Sequence, residues 1–367
     1  MTQPAASVSS QAFGQTPNGQ TARVYTLHNA QLRVRITDYG GRVVSIEAPD
    51  RSGRRDDVLL GFDDAGDYRK AGGAFGALLG RNANRIAGGR FTIDAHTYRL
   101  ATNEGTSTLH GGPLGFDKLY WQVASVTVES GSAIVLTHVS PDGDQGFPGE
   151  LSVQATYRLD GDFLWLEFEA HTTKSTLVSL SAHPYFNLAG PQSGSVLDHI
   201  VTIASEAFLP TDDKQIPTGE IRSVAGTPFD FREPTSLKAR IRQADPQLIA
   251  GQGYDHYFVL GTGAPQTPRF AARALDPSSG RVLEIHTTQP GLQLYTGNQL
   301  NGSVAGRGGI YRQSAGFALE PQGFPDAPHH PSFPSTILRP GEKYLATIGY
   351  RFMVSASDPP GSAHDGV

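Results

Sequence analysis

The chain has 367 residues, enough for one large all-β domain or two ordinary ones, and its 43 glycines and 25 prolines beside only 18% charged residues suit strands and turns better than solvated helices. A formal net charge of −5 without a dense lysine or arginine cluster leaves no surface for nucleic acid or anionic lipid, so neither is expected as a partner. Cysteine is absent, which excludes disulfides and thiolate metal sites and leaves the compartment open.

The first twenty residues, "MTQPAASVSSQAFGQTPNGQ", have neither a basic start nor an apolar run and do not read as a secretory signal. No window reaches the roughly 18 apolar residues of a membrane span, and the cytoplasm is the default expectation. Residues 1–10 are expected to be a mobile polar tail, residues 11–355 a single domain, and the Gly/Pro-rich residues 356–367 a second mobile tail. Period-2 alternation begins at "QLRVRITDYG" and recurs in "GRFTIDAHTYRL", "WQVASVTVES", "SAIVLTHVS" and "KYLATIGYRFMV". It is clearest in "LSVQATYRL", where Leu151, Val153, Ala155, Tyr157 and Leu159 share one face. Asp160-Gly161 follows, then "DFLWLEFEAHT", which predicts a hairpin with a type I′ turn. Only "PTSLKARIRQ" and "DPQLIAG" hint at helix. Many antiparallel strands with short turns predict a sandwich or closed β structure.

Several polar groups interrupt this pattern. In "GRNANRIAGGRF", Asn82, Asn84 and Arg85 stand among small residues, where a guanidinium suits a hydroxyl or carboxylate and a structural turn is an equal alternative. The stretch lacks the Gly-Lys-Ser/Thr ending of a phosphate loop. In "NEGTSTLHGG", His110 precedes two glycines that allow a ligand to approach the backbone closely, though a lone histidine is more often structural. "LSAHPYFNLAG" places His183 before a proline, which holds its backbone extended, and histidine is the side chain suited to moving protons near neutral pH. "GYDHYFVL" sets Asp255 among aromatics, a composition that suits sugar hydroxyls and C–H faces, though a turn aspartate would read the same. Finally, "FALEPQGFPDAP" ends a buried apolar run on Glu320. Burying an unpaired carboxylate costs several kcal/mol, so Glu320 must shift its pKa, find partners or point at water. No His-Glu-x-x-His or calcium loop occurs, and the spacing of the twelve histidines, His329-His330 included, argues for no metal site.

Taken in order, "GRNANRIAGGRF", "NEGTSTLHGGPLGFDKLYW", "HPYFNLAG", "GYDHYFVL", "PGLQLYTGN" and "LEPQGFPDAPHHPSFPSTILRPGEKY" resemble the successive signatures of the aldose 1-epimerase (mutarotase) family. The resemblance runs from about Phe13 to Phe352, with departures at Ser181-Ala182, Ala95 and Gly323. It implies a large antiparallel β-supersandwich of the galactose mutarotase type with the sugar on a concave sheet face. It also implies interconversion of the α and β anomers of free aldohexoses such as galactose and glucose, without a cofactor, in a monomer or homodimer. On this resemblance Glu320 is the base and His183 the acid, Arg85, His110 and Asp255 hold sugar hydroxyls, and Asn84 and Gln293 are further contacts. A lectin would not need Glu320 and His183 together, and a glycoside hydrolase would use Asp255 and Glu320 as its carboxylate pair. A hexose-6-phosphate epimerase would call for more lysine or arginine than Arg85 near the groove.

Overall fold

A computed structural model describes residues 7–15, 19–127, 132–261, 263 and 265–355. The expected C-terminal tail, residues 356–367, and the first six residues lie outside this description. The N-terminal expectation changes. Ser7–Gln15 is a strand whose residues Ser7 to Ser10 pair with His28 to Tyr25, so residues 7–10 belong to the sheet and not to a tail.

Three sheets make up most of the molecule. The first has five strands in chain order, from Ser7–Gln15 to Arg55–Asp57. The second has nine and places the last strand, Tyr344–Val354, between Phe163–Thr172 and Arg281–Thr287. The third, five-stranded sheet contains Asp255–Val259, Gly291–Tyr295 and Ala318–Gln322 side by side. The named strands pair antiparallel throughout these sheets, as the alternation predicts.

The buried faces explain why the sheets stack. Leu151, Val153, Ala155, Tyr157 and Leu159 are all buried, while Ser152 and Gln154 between them are exposed. Their core is continuous with Leu27, Val34 and Ile46 of the first sheet and with Leu292, Leu294, Phe317 and Leu319 of or beside the third. Each leucine, valine, isoleucine or phenylalanine among them contributes about 1.5–3 kcal/mol when withdrawn from water. Side chains alternate along a strand, so anchoring Leu292, Leu294 and Leu319 in this core turns Gln293 and Glu320 to the opposite face. Register then matters, because a one-residue slip would exchange the faces.

Local expectations fare unevenly. The hairpin after "LSVQATYRL" forms, but Asp160 pairs with Phe163, so its loop is Gly161-Asp162 and lies one residue later than predicted. Only Gly161 of the two has positive φ (57°), the pattern of a type II′ turn with glycine at the first central position. Pro246–Gly251 is a helix, with the Asp245 side chain accepting from the Gln247 N–H at its start. "PTSLKARIRQ" yields only a short strand and a three-residue 3-10 turn. A seven-residue helix at Ala65–Ala71, capped by Asp64, carries no signal that the alternation would reveal. Among the described residues no helix is long and apolar enough to cross a membrane.

Candidate active site

The face of the third sheet that carries Gln293 and Glu320 borders a cavity of about 290 Å3. Asn84, Arg85, His110, His183, Asp255, Gln293 and Glu320 all line it, joined by Glu104, Phe75, Tyr185, Tyr295 and Tyr311. Gln293 stands directly opposite Glu320 in the ladder, and Asp255 opposite Tyr295. Three adjacent strands therefore deliver four of these side chains.

His183 arrives on separate backbone. The two-residue strand Ser181–Ala182 pairs with Leu78–Leu79, the His183 N–H donates to the Ala77 carbonyl (2.9 Å), and the His183 carbonyl accepts from Gly76 (2.9 Å). The Ser181 hydroxyl donates to the Pro321 carbonyl at 2.8 Å, tying the histidine segment to the residue after Glu320. Nε2 of His183 lies 3.4 Å from Oε1 of Glu320, and Oε2 of Glu320 has no hydrogen-bond partner among the described residues. Burial pushes the Glu320 pKa well up, Asp255 adds to the rise, and Arg85 opposes it. Burial also pulls His183 down to about 4, with Arg42 adding to the fall. Both shifts run toward the uncharged forms, a protonated carboxyl beside a neutral imidazole.

The segment holding Arg85 and His110 is a second small ladder in which Leu109 pairs with Arg85. The His110 N–H donates to the Asn84 carbonyl (3.1 Å), the Asn84 N–H donates to Nδ1 of His110 (3.1 Å), and Oδ1 of Asn84 accepts from the Arg85 N–H (2.8 Å). Asn84 is at φ 65° and His110 at φ 52°, so both hold left-handed backbone. Gly111 is required by the chain itself, since a Cβ there would lie 1.9 Å from the Gly80 carbonyl oxygen. Packing against the Gly80 carbonyl thus accounts for Gly111.

Nδ1 of His110 is an acceptor, so Nε2 must carry the proton of the neutral ring. Burial, then His183 and Arg85, hold His110 well below its ordinary pKa, and neutral is its state. This decides a further question. Ligand atoms of His110, His183 and Glu320 lie within 4.8 Å of one another, a convergence that spacing did not reveal and that is close enough to hold a metal ion. With Nδ1 engaged and Nε2 protonated, His110 has no lone pair free for a cation, so the cluster suits proton movement better than metal binding.

Asp255 accepts from Nε2 of Gln293 at 2.6 Å and faces Nη2 of Arg85 at 3.6 Å. Burial raises its pKa and Arg85 works against that rise. Arg85 is also gripped by Glu104, through Nε (2.7 Å) and Nη2 (3.0 Å). Glu104 lies in the stretch quoted for His110 and carries no signal of its own there; the Leu109–Arg85 pairing brings this stretch beside the guanidinium. Aromatic rings close the cavity, with Tyr185 centred 4.6 Å from His183 and 4.7 Å from Phe75. Asn82 and His256 do not line it. Asn82 donates to the Ala83 carbonyl, and Nδ1 of His256 accepts from the Asp255 N–H. Behind the site, Asp326 accepts from Ala87 and bonds His329 at 2.6 Å, while its N–H donates to the Arg85 carbonyl.

The model of the Aldose 1-epimerase family matches residues 23–351. Galactose mutarotase of Bos taurus is 44% identical over 95% of this chain and 99% of its own length. Aldose 1-epimerase of Escherichia coli (strain K12) is 37% identical over 92% and 97%. The crystal structure of galactose 1-epimerase from Lactobacillus acidophilus superimposes with a TM-score of 0.84 at 26% identity, covering 96% of this chain and 100% of that one.

Proposed function

This chain belongs to the aldose 1-epimerase family and is a mutarotase, and from that premise we propose that Glu320 and His183 move the protons while Arg85, His110 and Asp255 hold the sugar. The substrate is read as a free aldohexose, galactose first among candidates because the bovine relative is a galactose mutarotase. The observation that carries the assignment is the 3.4 Å approach of two buried, oppositely shifted groups.

Anomers interconvert when the ring hemiacetal opens, the aldehyde turns about C1–C2, and the ring closes on the other carbonyl face. Opening removes a proton from the C1 hydroxyl and adds one to the ring oxygen. With the carboxyl proton passed across to His183, the Glu320 carboxylate takes the first proton and the imidazolium gives the second. The two tautomers of the pair contain the same number of protons, so their balance does not depend on pH. Closure runs the same transfers backward and restores the pair. Each transfer of this kind typically contributes ~10²–10⁴-fold. His110, as a fixed N–H donor, Asp255 as acceptor and Arg85 as donor supply complementary partners for hydroxyls, and the tyrosines cover C–H faces. No step oxidises or hydrolyses the sugar.

Glu320→Gln keeps shape and hydrogen-bonding capacity but accepts no proton at neutral pH. It should bind galactose in calorimetry and lose at least about 100-fold in polarimetric kcat. His183→Asn should behave alike, and the double variant should be little worse than either single, because acid and base act as a unit. More than about a tenth of wild-type kcat in Glu320→Gln would move the base to Asp255.

A further inference from the structure

We propose that Glu104 is a positioning residue of this epimerase: its carboxylate grips the Nε–Nη2 edge of Arg85 and fixes the guanidinium plane against the bound sugar. The proposal rests on Arg85 as a hydroxyl-holding group.

The cation and the carboxylate are unequally placed. Arg85 is buried in the cavity wall with 7% of its side chain exposed, whereas Glu104 reaches it from the rim with 35% exposed. Asp255, the other carboxylate beside Arg85, approaches Nη2 only at 3.6 Å and already receives Gln293 at 2.6 Å. A single long contact leaves a guanidinium free to turn about its Cδ–Nε bond. Two parallel bonds from one carboxylate, at 2.7 and 3.0 Å, stop that turn, and they leave Nη1 as the edge not committed to Glu104.

The loop is built to hold Glu104 in this place. Its turn is closed by Ser107 N–H to the Glu104 carbonyl (2.9 Å) and Glu104 N–H to the Ser107 carbonyl (3.2 Å). Beside it, the Asn103 side chain accepts from the Leu109 N–H (2.7 Å) and donates to the Leu109 carbonyl (3.0 Å). Leu109 is the ladder partner of Arg85 and the neighbour of His110. The turn is therefore braced against the backbone that carries the group it grips. Electrostatics gives Glu104 a second effect. Among the charged side chains lining the cavity, one guanidinium faces three carboxyl groups, Glu104, Asp255 and Glu320. Glu104 absorbs part of the Arg85 charge that would otherwise draw the proton from Glu320.

The test compares Glu104→Gln, Arg85→Ala, their double variant and Glu104→Asp in polarimetric assays with galactose over a range of pH. Glu104→Gln should raise KM about tenfold with a smaller fall in kcat, because orientation of a sugar-holding group is lost while the proton pair remains. Its alkaline limb of kcat/KM should move to lower pH. Glu104→Asp should recover part of the loss. In the Arg85→Ala background the Gln substitution should add less than about twofold, since nothing is left to position. Arg85→Lys, with one ammonium in place of the fork, serves as background if the alanine variant does not fold.

Wild-type kinetics in Glu104→Gln would overturn the proposal and leave the Arg85 assignment standing. An equal loss in both backgrounds would also overturn it, by showing that Glu104 acts without Arg85. Wild-type kinetics in Arg85→Ala would remove the assignment on which the proposal rests.

Discussion

Glu320 shows how one residue couples stability to activity. Its pKa is raised in the folded chain by burial first and by Asp255 second. Around it stand His183, Asp255 and Arg85, with the phenols of Tyr185, Tyr295 and Tyr350. A carboxyl with a raised folded pKa contributes its full stability below the ordinary glutamate value and loses it as pH rises through the folded value. Glu320→Gln mimics the protonated acid at every pH. It should match wild type in Tm near pH 4 and exceed it increasingly as pH rises through the Glu320 titration; scanning calorimetry showing the variant less stable at pH 8 would refute the burial argument. Rate should follow the same pair. The pair takes a second proton as pH falls through about 4, the His183 value, and loses its only proton as pH rises through the raised Glu320 value. Profiles of kcat/KM should be bell-shaped with those two limbs, reporting the pair and not either residue alone. A profile still rising at pH 9 would exclude a one-proton pair. Residue types announced the candidates, but charge state was not legible, because it depends on how completely the fold removes each group from water.

At the scale of elements, turns were the least legible part. "GRFTIDAHTYRL" reads as a single alternating run, but it forms two strands, and Ile93 pairs with His96 across a two-residue loop. That loop is Asp94-Ala95, with φ of 50° and 63°, the type I′ pattern. Ala95 stands at a position noted from sequence as a departure from glycine, and the left-handed backbone gives the departure a cost of roughly 1–2 kcal/mol for a residue with a Cβ. Part of that is offset by the greater freedom of glycine in the unfolded chain. Ala95→Gly should therefore stabilise by about 0.5–1 kcal/mol in urea titrations without altering kcat, and a loss of stability would contradict the turn assignment. Gly323, another departure, has a local reason. A Cβ there would meet Thr336 at 2.9 Å and Ser179 at 3.1 Å, and its N–H already donates to the Ser179 hydroxyl. Ser181, the third, keeps a hydroxyl that ties the histidine segment to the Glu320 strand. The Ala65–Ala71 helix escaped notice because seven residues give too few turns for a helical period to show.

For the whole molecule, period-2 alternation made the all-β class legible, whereas strand order was not. Placing Tyr344–Val354 in the middle of a nine-stranded sheet depends on contacts between residues nearly two hundred positions apart, which no local pattern encodes. The same non-local order assembles the site. Arg85, His183, Asp255 and Glu320 come from four separate segments; Ala182, Tyr254 and Leu319 anchor the last three in the main core, whereas Ile86 beside Arg85 packs with Phe91, Leu100 and Phe147 in a cluster of its own. Three of the four segments share the core that holds buried Trp121, so loss of mutarotation in urea should coincide with the change in tryptophan fluorescence. Activity lost well before that transition would show that the site loosens independently of the sheets.

The neutral pairing of Glu320 with His183 has a consequence for sugars that arrive already open. On the proposed roles, a linear aldose needs a proton delivered to its carbonyl oxygen and one withdrawn from its C5 hydroxyl. A carboxylic acid beside a free imidazole base, 3.4 Å apart, offers both before any sugar binds. On those roles, Glu320 protonated and His183 neutral is the protonation state of the midpoint of the cycle. Acyclic aldehyde reaching the cavity enters halfway along the path and leaves as a ring, so the device that equilibrates anomers also disposes of the chemically reactive form of the sugar.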